Sequence, residues 1–172
     1  MFGIPTHLLA KVTVTENTTD VTLSVNPIVI AALSFTPRHL VLRVNAKCES
    51  SLPSLELRFN GDSGSNYNRQ HLQGSFESSS HSISAGRGTS GSSVLVGGMS
   101  ATANEFTSTE VLLPDALSTR THKAVLALCG RVIAYPAVYA MVGRWEDTAK
   151  IDSVTFKASE LISADSTFYL CV

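Results

Sequence analysis

The feature that most constrains this chain is the shortness and period of its apolar runs. Apolar and β-branched residues alternate with polar ones over a few positions, and Gly, Ser, Asn or Pro then breaks each run. Successive side chains on a strand point to opposite faces, so such runs fit a sheet with one face covered. Residues 11–15 (Lys-Val-Thr-Val-Thr) and 21–25 (Val-Thr-Leu-Ser-Val) alternate cleanly. In 39–45, Leu40, Leu42 and Val44 share a face; in 54–59, Leu55, Leu57 and Phe59 do. No segment carries the 3.6-residue period of a long amphipathic helix.

Further strands are predicted at 28–32, 93–96, 105–113, 123–128, 137–142, 151–156 and 166–172. The run 28–32 is continuously apolar and is closed by a turn at Pro37. The runs 123–128 and 137–142 are apolar on both faces, which predicts central strands. A short helical turn is expected near 158–162. About ten strands at this spacing predict an all-β, antiparallel β-sandwich, with a jelly roll as its specific form. Residues 1–34 read as an N-terminal arm with the first strands and 35–172 as the β-sandwich domain, together one compact domain. The Asn, Asp and Gly of 60–66 predict an Asx-type turn. The Ser- and Gly-rich stretch 75–93 has no core pattern and reads as a long loop, either an interaction arm or a mobile one.

Composition narrows the function classes. At 172 residues and 44% hydrophobic, the chain can bury a core and is too apolar to be disordered. Only 16% of residues are charged and the net charge is −1, so Ser, Thr, Asn and Gly make most of the polar surface. Thirteen Lys and Arg are scattered without a basic stripe, which argues against nucleic-acid binding. Cys48, Cys129 and Cys171 are odd in number and far apart, so they read as buried free thiols rather than disulfides or zinc ligands. The apolar stretch 28–35 is too short to span a bilayer and no signal-peptide pattern opens the chain, so no membrane insertion is expected.

Catalytic patterns are weak. His7, His39, His71, His81 and His122 lack the local spacing of a metal site, although His71 and His81 can meet in space. Asp62 is the only charged residue between Asn60 and Asn66, too little for a calcium loop. No Gly-x-Ser-x-Gly elbow occurs, and no Lys-Ser/Thr follows Gly97-Gly98. Glu56, Glu105, Glu110 and Asp115 can supply glycosidase-type acids, but nothing singles out a pair. No catalytic residue, cofactor or metal is therefore expected. Trp145, the only tryptophan, either anchors the core or offers its ring to an interface.

Four blocks, in order, resemble a domain that recurs in structural proteins of tailed bacteriophages. The first is 57–67 (Leu-Arg-Phe-Asn-Gly-Asp-Ser-Gly-Ser-Asn-Tyr), a strand, an Asn-Gly-Asp loop and a Tyr. The second is 100–106, opening a strand that ends at Leu113-Pro114. The third is 143–151 (Gly-Arg-Trp-Glu-Asp-Thr-Ala-Lys-Ile), leading into 153–156. The last is 164–170 (Ala-Asp-Ser-Thr-Phe-Tyr-Leu). Asp165 stands where that family has Gly, and the chain closes on Cys171-Val172 rather than Gly-Ile, which bears on the packing of the final strand. The likeness covers about residues 35 to 172.

This resemblance implies a non-enzymatic virion component, assembled in the bacterial cytoplasm. The lack of a stalk favours a head decoration (cement) protein, whose partners are the major capsid protein and copies of itself. A tail adaptor, fibre or receptor-binding module that recognises host surface glycans is the alternative. A particle-borne glycan hydrolase and a host-derived carbohydrate-binding sandwich are more distant ones. Phe2 and Ile4 in the leading arm, Arg87 in the Ser/Gly stretch and Trp145 are the candidate interaction residues.

Overall fold

A computed structural model describes residues 7–49, 53–77, 80–100, 105–131 and 136–172. These form an all-β sandwich of two antiparallel sheets, the class the alternating runs predict. In chain order the elements are β1 (Leu8–Thr13), β2 (Thr18–Ser24), α1 (Pro27–Ala31), β3 (Leu40–Ala46), β4 (Ser54–Phe59), β5 (Tyr67–Glu77) and β6 (Ser80–Gly91). There follow β7 (Val94–Gly98), β8 (Thr107–Leu113), β9 (Lys123–Arg131), β10 (Ala137–Trp145), β11 (Ser153–Ile162) and β12 (Thr167–Cys171).

The sheets are unequal. One has eight strands in the order β1-β12-β3-β8-β9-β10-β5-β6; the other has four, β2-β11-β4-β7. Both include early strands, β1 and β2, so the described part of the leading region belongs to the sandwich. The inward residues of the alternating runs make one core. Leu40, Leu42 and Val111 of the wide sheet and Leu57, Phe59 and Phe156 of the narrow one are fully buried. Phe156 and Phe168 meet from opposite sheets with ring centroids 4.9 Å apart.

Three local expectations are corrected. Residues 28–32 form not a strand but most of the helix α1 and its C-cap, Ala32. Asn26 is its N-cap, its side chain accepting from the Ile28 N–H at 2.9 Å, and Pro27 follows at the first position. A capped Pro start is preorganised for a helical turn, and here it outweighs the β-branched composition. Residues 158–162, expected to turn helically, continue β11, and Ala158 pairs with Leu55 of β4. The stretch 75–93 is not a long loop: most of it is β6, paired antiparallel with β5 from Glu77↔Ser80 to Tyr67↔Gly91. Small residues suit that pairing. Arg69 and His71 lie across Gly88 and Gly86, where an added Cβ would sit 3.0 Å from Arg69 Nε and 2.3 Å from His71 Cε1.

As expected, β9 and β10 are interior strands of their sheet, but only one of their faces is buried. The narrow sheet ends at β7, which packs on the inner face of β9 and β10. There Val94 would stand 2.4 Å from a Cβ placed on Gly143. The outer face of the same strands carries no second layer among the described residues.

Candidate interaction surface

That outer face is built from the register of four strands. Val138, Ala140 and Val142 of β10 lie beside Gly130, Leu128 and Leu126 of β9. On the other side they lie beside Gly74, Leu72 and Gln70 of β5. These in turn pair with Ile83, Ala85 and Arg87 of β6. Alternation puts all twelve on one side of the sheet. Leu72, Ile83, Leu128, Val138 and Val142 are exposed there, Ile83 at 82% and Val138 at 63%. Exposed apolar residues scattered singly need no explanation, whereas a contiguous group marks a surface that another molecule covers. A shallow concavity of about 430 Å³ runs over Leu72, Leu126, Leu128, Ala140 and Val142. β6 completes the surface as the outermost strand, so one of its edges lacks a strand partner among the described residues. Of the usual edge protections, β6 has no Pro or Lys.

Arg87 falls on this face, exposed and beside Gln70. Phe2 and Ile4 lie outside the described residues. Trp145 as an interface residue is corrected: it is 1% exposed and packs in the core, 5.5 Å from Phe59 between ring centroids. Its place at the end of β10, inside the β5 and β9 ladders, turns the ring inward. Its indole N–H donates to Asp62 Oδ2 at 2.6 Å. The same carboxylate accepts from the Asn66 amide at 2.9 Å and the Gly64 N–H at 2.8 Å. These hydrogen bonds, Asn66 first and Trp145 next, hold the Asp62 carboxyl below its ordinary value. The 60–66 segment is thus the expected Asx-type turn, with φ of 53° at Asn60 and 72° at Gly61, and its acid is spent on N–H donors.

The remaining candidates do not assemble into chemistry. His71 pairs with Gly86 and His81 with Phe76, five ladder positions or about 17 Å apart, so the strands keep the two histidines separate. Among the described residues no group of three His, Cys, Asp or Glu is arranged to hold a metal. Glu56 is engaged by Arg69 at 3.1 Å and Ser93 at 2.5 Å, Glu110 by Arg43 at 3.3 Å, and Asp115 by Arg38 at 2.9 Å. Three of the four candidate acids therefore face arginines on different elements rather than one another. Cys48, Cys129 and Cys171 are buried thiols, none of them in a disulfide, as their spacing predicts. Burial pushes the Cys129 thiol above its ordinary value, the wrong direction for a nucleophile.

A second concavity, about 630 Å³, lies where α1 and its following loop meet the turn after β8. Val25, Ile30 and Leu117 form apolar wall, and Arg38, Arg120 and Lys150 supply charge. Two of these cations are paired within it, Arg38 to Asp115 and Lys150 to Asp152, each at 2.9 Å.

No family model matches the chain. No curated protein and no solved structure is significantly similar to it.

Sequence reasoning did not pick out Leu72, Ile83, Leu128, Val138 or Val142 as surface residues. For Leu128, Val138 and Val142 the signal was present as runs apolar on both faces, which double burial explains equally well, whereas Leu72 and Ile83 stand singly among polar residues. No helix among the described residues is long and apolar enough to cross a membrane.

Proposed function

We propose that this chain is a non-enzymatic structural protein of a bacteriophage particle, a decoration (cement) protein bound to the head shell. The observation that carries the reading is the broad apolar outer face of β9, β10, β5 and β6, which ends in an edge strand. A surface of this kind is built to be covered by protein, and it holds no convergent set of acids, nucleophiles or metal ligands. The strand order adds support. Four neighbours of the wide sheet, β1-β12-β3-β8, and the narrow sheet, β2-β11-β4-β7, together make eight strands, and the chain changes sheet at nearly every step among them. We read this as a jelly roll, with the β5–β6 and β9–β10 hairpins added to widen one sheet. Jelly rolls are a common architecture of viral shell proteins, though the same architecture serves lectins, so it carries only part of the reading. The major capsid protein and further copies of this chain are the proposed partners, and the virion is the proposed location.

The test is to find the chain in intact particles and count it against the major capsid protein by quantitative mass spectrometry. Hundreds of copies, lost together when particles are stripped of surface proteins, are expected. About a dozen copies or fewer, the numbers of small closed rings, would instead place it in the tail. Absence from particles would end the virion reading. The tail or receptor-binding alternative draws on the cleft beside α1, whose apolar wall and charged rim suit a small polar ligand such as a host glycan. Binding on a glycan array, lost on Arg120→Ala, would favour it.

A further inference from the structure

The outer face has an internal pattern beyond being apolar. One row across the strands β9, β10, β5 and β6 reads Leu128, Ala140, Leu72, Ala85. The adjacent row reads Gly130, Val138, Gly74, Ile83. Large and small residues alternate along each row, and the second row is offset from the first by one strand. The result is a checkerboard of knobs and hollows.

The hollows are not required by the fold. A Cβ added to Gly74 or Gly130 would meet nothing within 4 Å, and neither residue has positive φ. Glycine inside a strand costs stability and packs nothing, so two open glycines on one face are unexplained by this chain alone. Elsewhere in the same strands the glycines have internal reasons: Gly86 lies under His71 and Gly143 under Val94.

We propose that this face is covered by a second copy of the same chain, in an isologous dimer with its two-fold axis parallel to the strands, between β10 and β5. That rotation exchanges β9 with β6 and β10 with β5. Leu128 of either copy then meets Ala85 of the other, and Leu72 meets Ala140. Val138 enters the hollow at Gly74, and Ile83 enters the hollow at Gly130. Every knob of both rows faces a hollow, the mutual matching that a two-fold interface demands. The arrangement is an aligned sheet-on-sheet packing. Sheet twist displaces least the pairs nearest the axis, Ala140 with Leu72 and Val138 with Gly74.

The area is of the right size. The exposed parts of Leu72, Ile83, Leu128, Val138 and Val142 amount to roughly 500 Å² per copy, about the apolar share of an interface burying ~800 Å² per partner. Arg87 is the only charged side chain among the twelve outward residues, and the rotation sets it against Leu126 rather than against its own copy. This inference deepens the reading of the face as a protein-covered surface by naming what covers it. It does not depend on the particle being a phage.

The experiment is sedimentation velocity and light scattering on the purified chain, from micromolar concentration upward. The unmodified chain is expected to be a dimer. Gly74→Val with Gly130→Val fills both hollows at sites open to solvent, and should weaken association roughly a hundredfold or more while the thermal stability of the dilute, dissociated chain stays level or rises. Leu72→Asp with Val138→Asp should also give monomers, with the circular dichroism of the parent. A monomer at every concentration overturns the proposal, as does a dimer that survives both pairs of substitutions. The copy count in particles is measured separately. A monomeric chain abundant on particles would leave the decoration reading intact and assign the face to the shell.

Discussion

Asp62 illustrates how much one side chain organises here. It collects N–H donors from Gly64, Asn66 and Trp145, joining the β4–β5 turn to the end of β10. Removing the acceptor leaves the Trp145 indole N–H without its partner beside a buried ring. Asp62→Ala is therefore expected to lower the unfolding free energy by about 2–4 kcal/mol, read by urea denaturation. The pH dependence follows from the direction of its shift. The folded carboxyl lies below the ordinary value of 3.8, so its contribution is complete above that value. The contribution is lost as pH falls through the lower, folded value. Asp62→Asn should flatten this acid limb in a series of denaturation curves below about pH 4. The turn itself was legible in Asn60, Gly61 and Asp62, whose residue types favour positive φ and side-chain caps. The partnership with Trp145 was not, because it spans 83 residues and exists only once β10 is registered against β5.

At the scale of elements, the alternating strands were readable because a half-covered sheet enforces period two. The β5–β6 hairpin was not, because nothing needs to be buried on β6. Its strand is held by the β5 ladder, and its inner face needs only to leave room for Arg69 and His71. The helix α1 was misread from its Ile and Val, although Asn26-Pro27 carried the cap signal. Glycines within strands now separate by environment. Gly143→Ala would place a Cβ 2.4 Å from Val94 and 3.2 Å from the Asn68 carbonyl oxygen. It should cost about 1–3 kcal/mol, seen as a lower melting temperature. Gly130→Ala points into open space, and a gain of roughly 0.5–1 kcal/mol in the dilute chain is expected from the same melt. Equal effects at the two positions would contradict the placement of β7 beneath β10.

For the whole molecule, the sandwich class followed from the sequence because two-sheet burial is the efficient way to cover many short alternating strands. The imbalance of eight strands against four did not. A strand's residue pattern tells which side is apolar, and is silent on whether another layer lies over it. For β9 and β10 the second apolar side faces outward, and this reversal turned two supposed core strands into the proposed docking face. The same imbalance leaves β6 beyond the narrow sheet, so its order depends on the ladder to β5, whereas β5 still sets Tyr67 against Phe59 and Arg69 against Glu56.

The three buried thiols make the molecule its own stopwatch. Cys171 is 8% exposed, on a strand next to the outermost β1, whereas Cys129 is 2% exposed in β9 with a strand on each side. A thiol-reactive mass tag added to the native protein can mark a cysteine only while its surroundings are open. Peptide mass spectrometry over time should show Cys171 tagged first and Cys129 last, with tagging of Cys129 keeping pace with complete unfolding. If Cys129 reacted first, the sandwich would be coming apart through the middle of its wide sheet rather than from its rim.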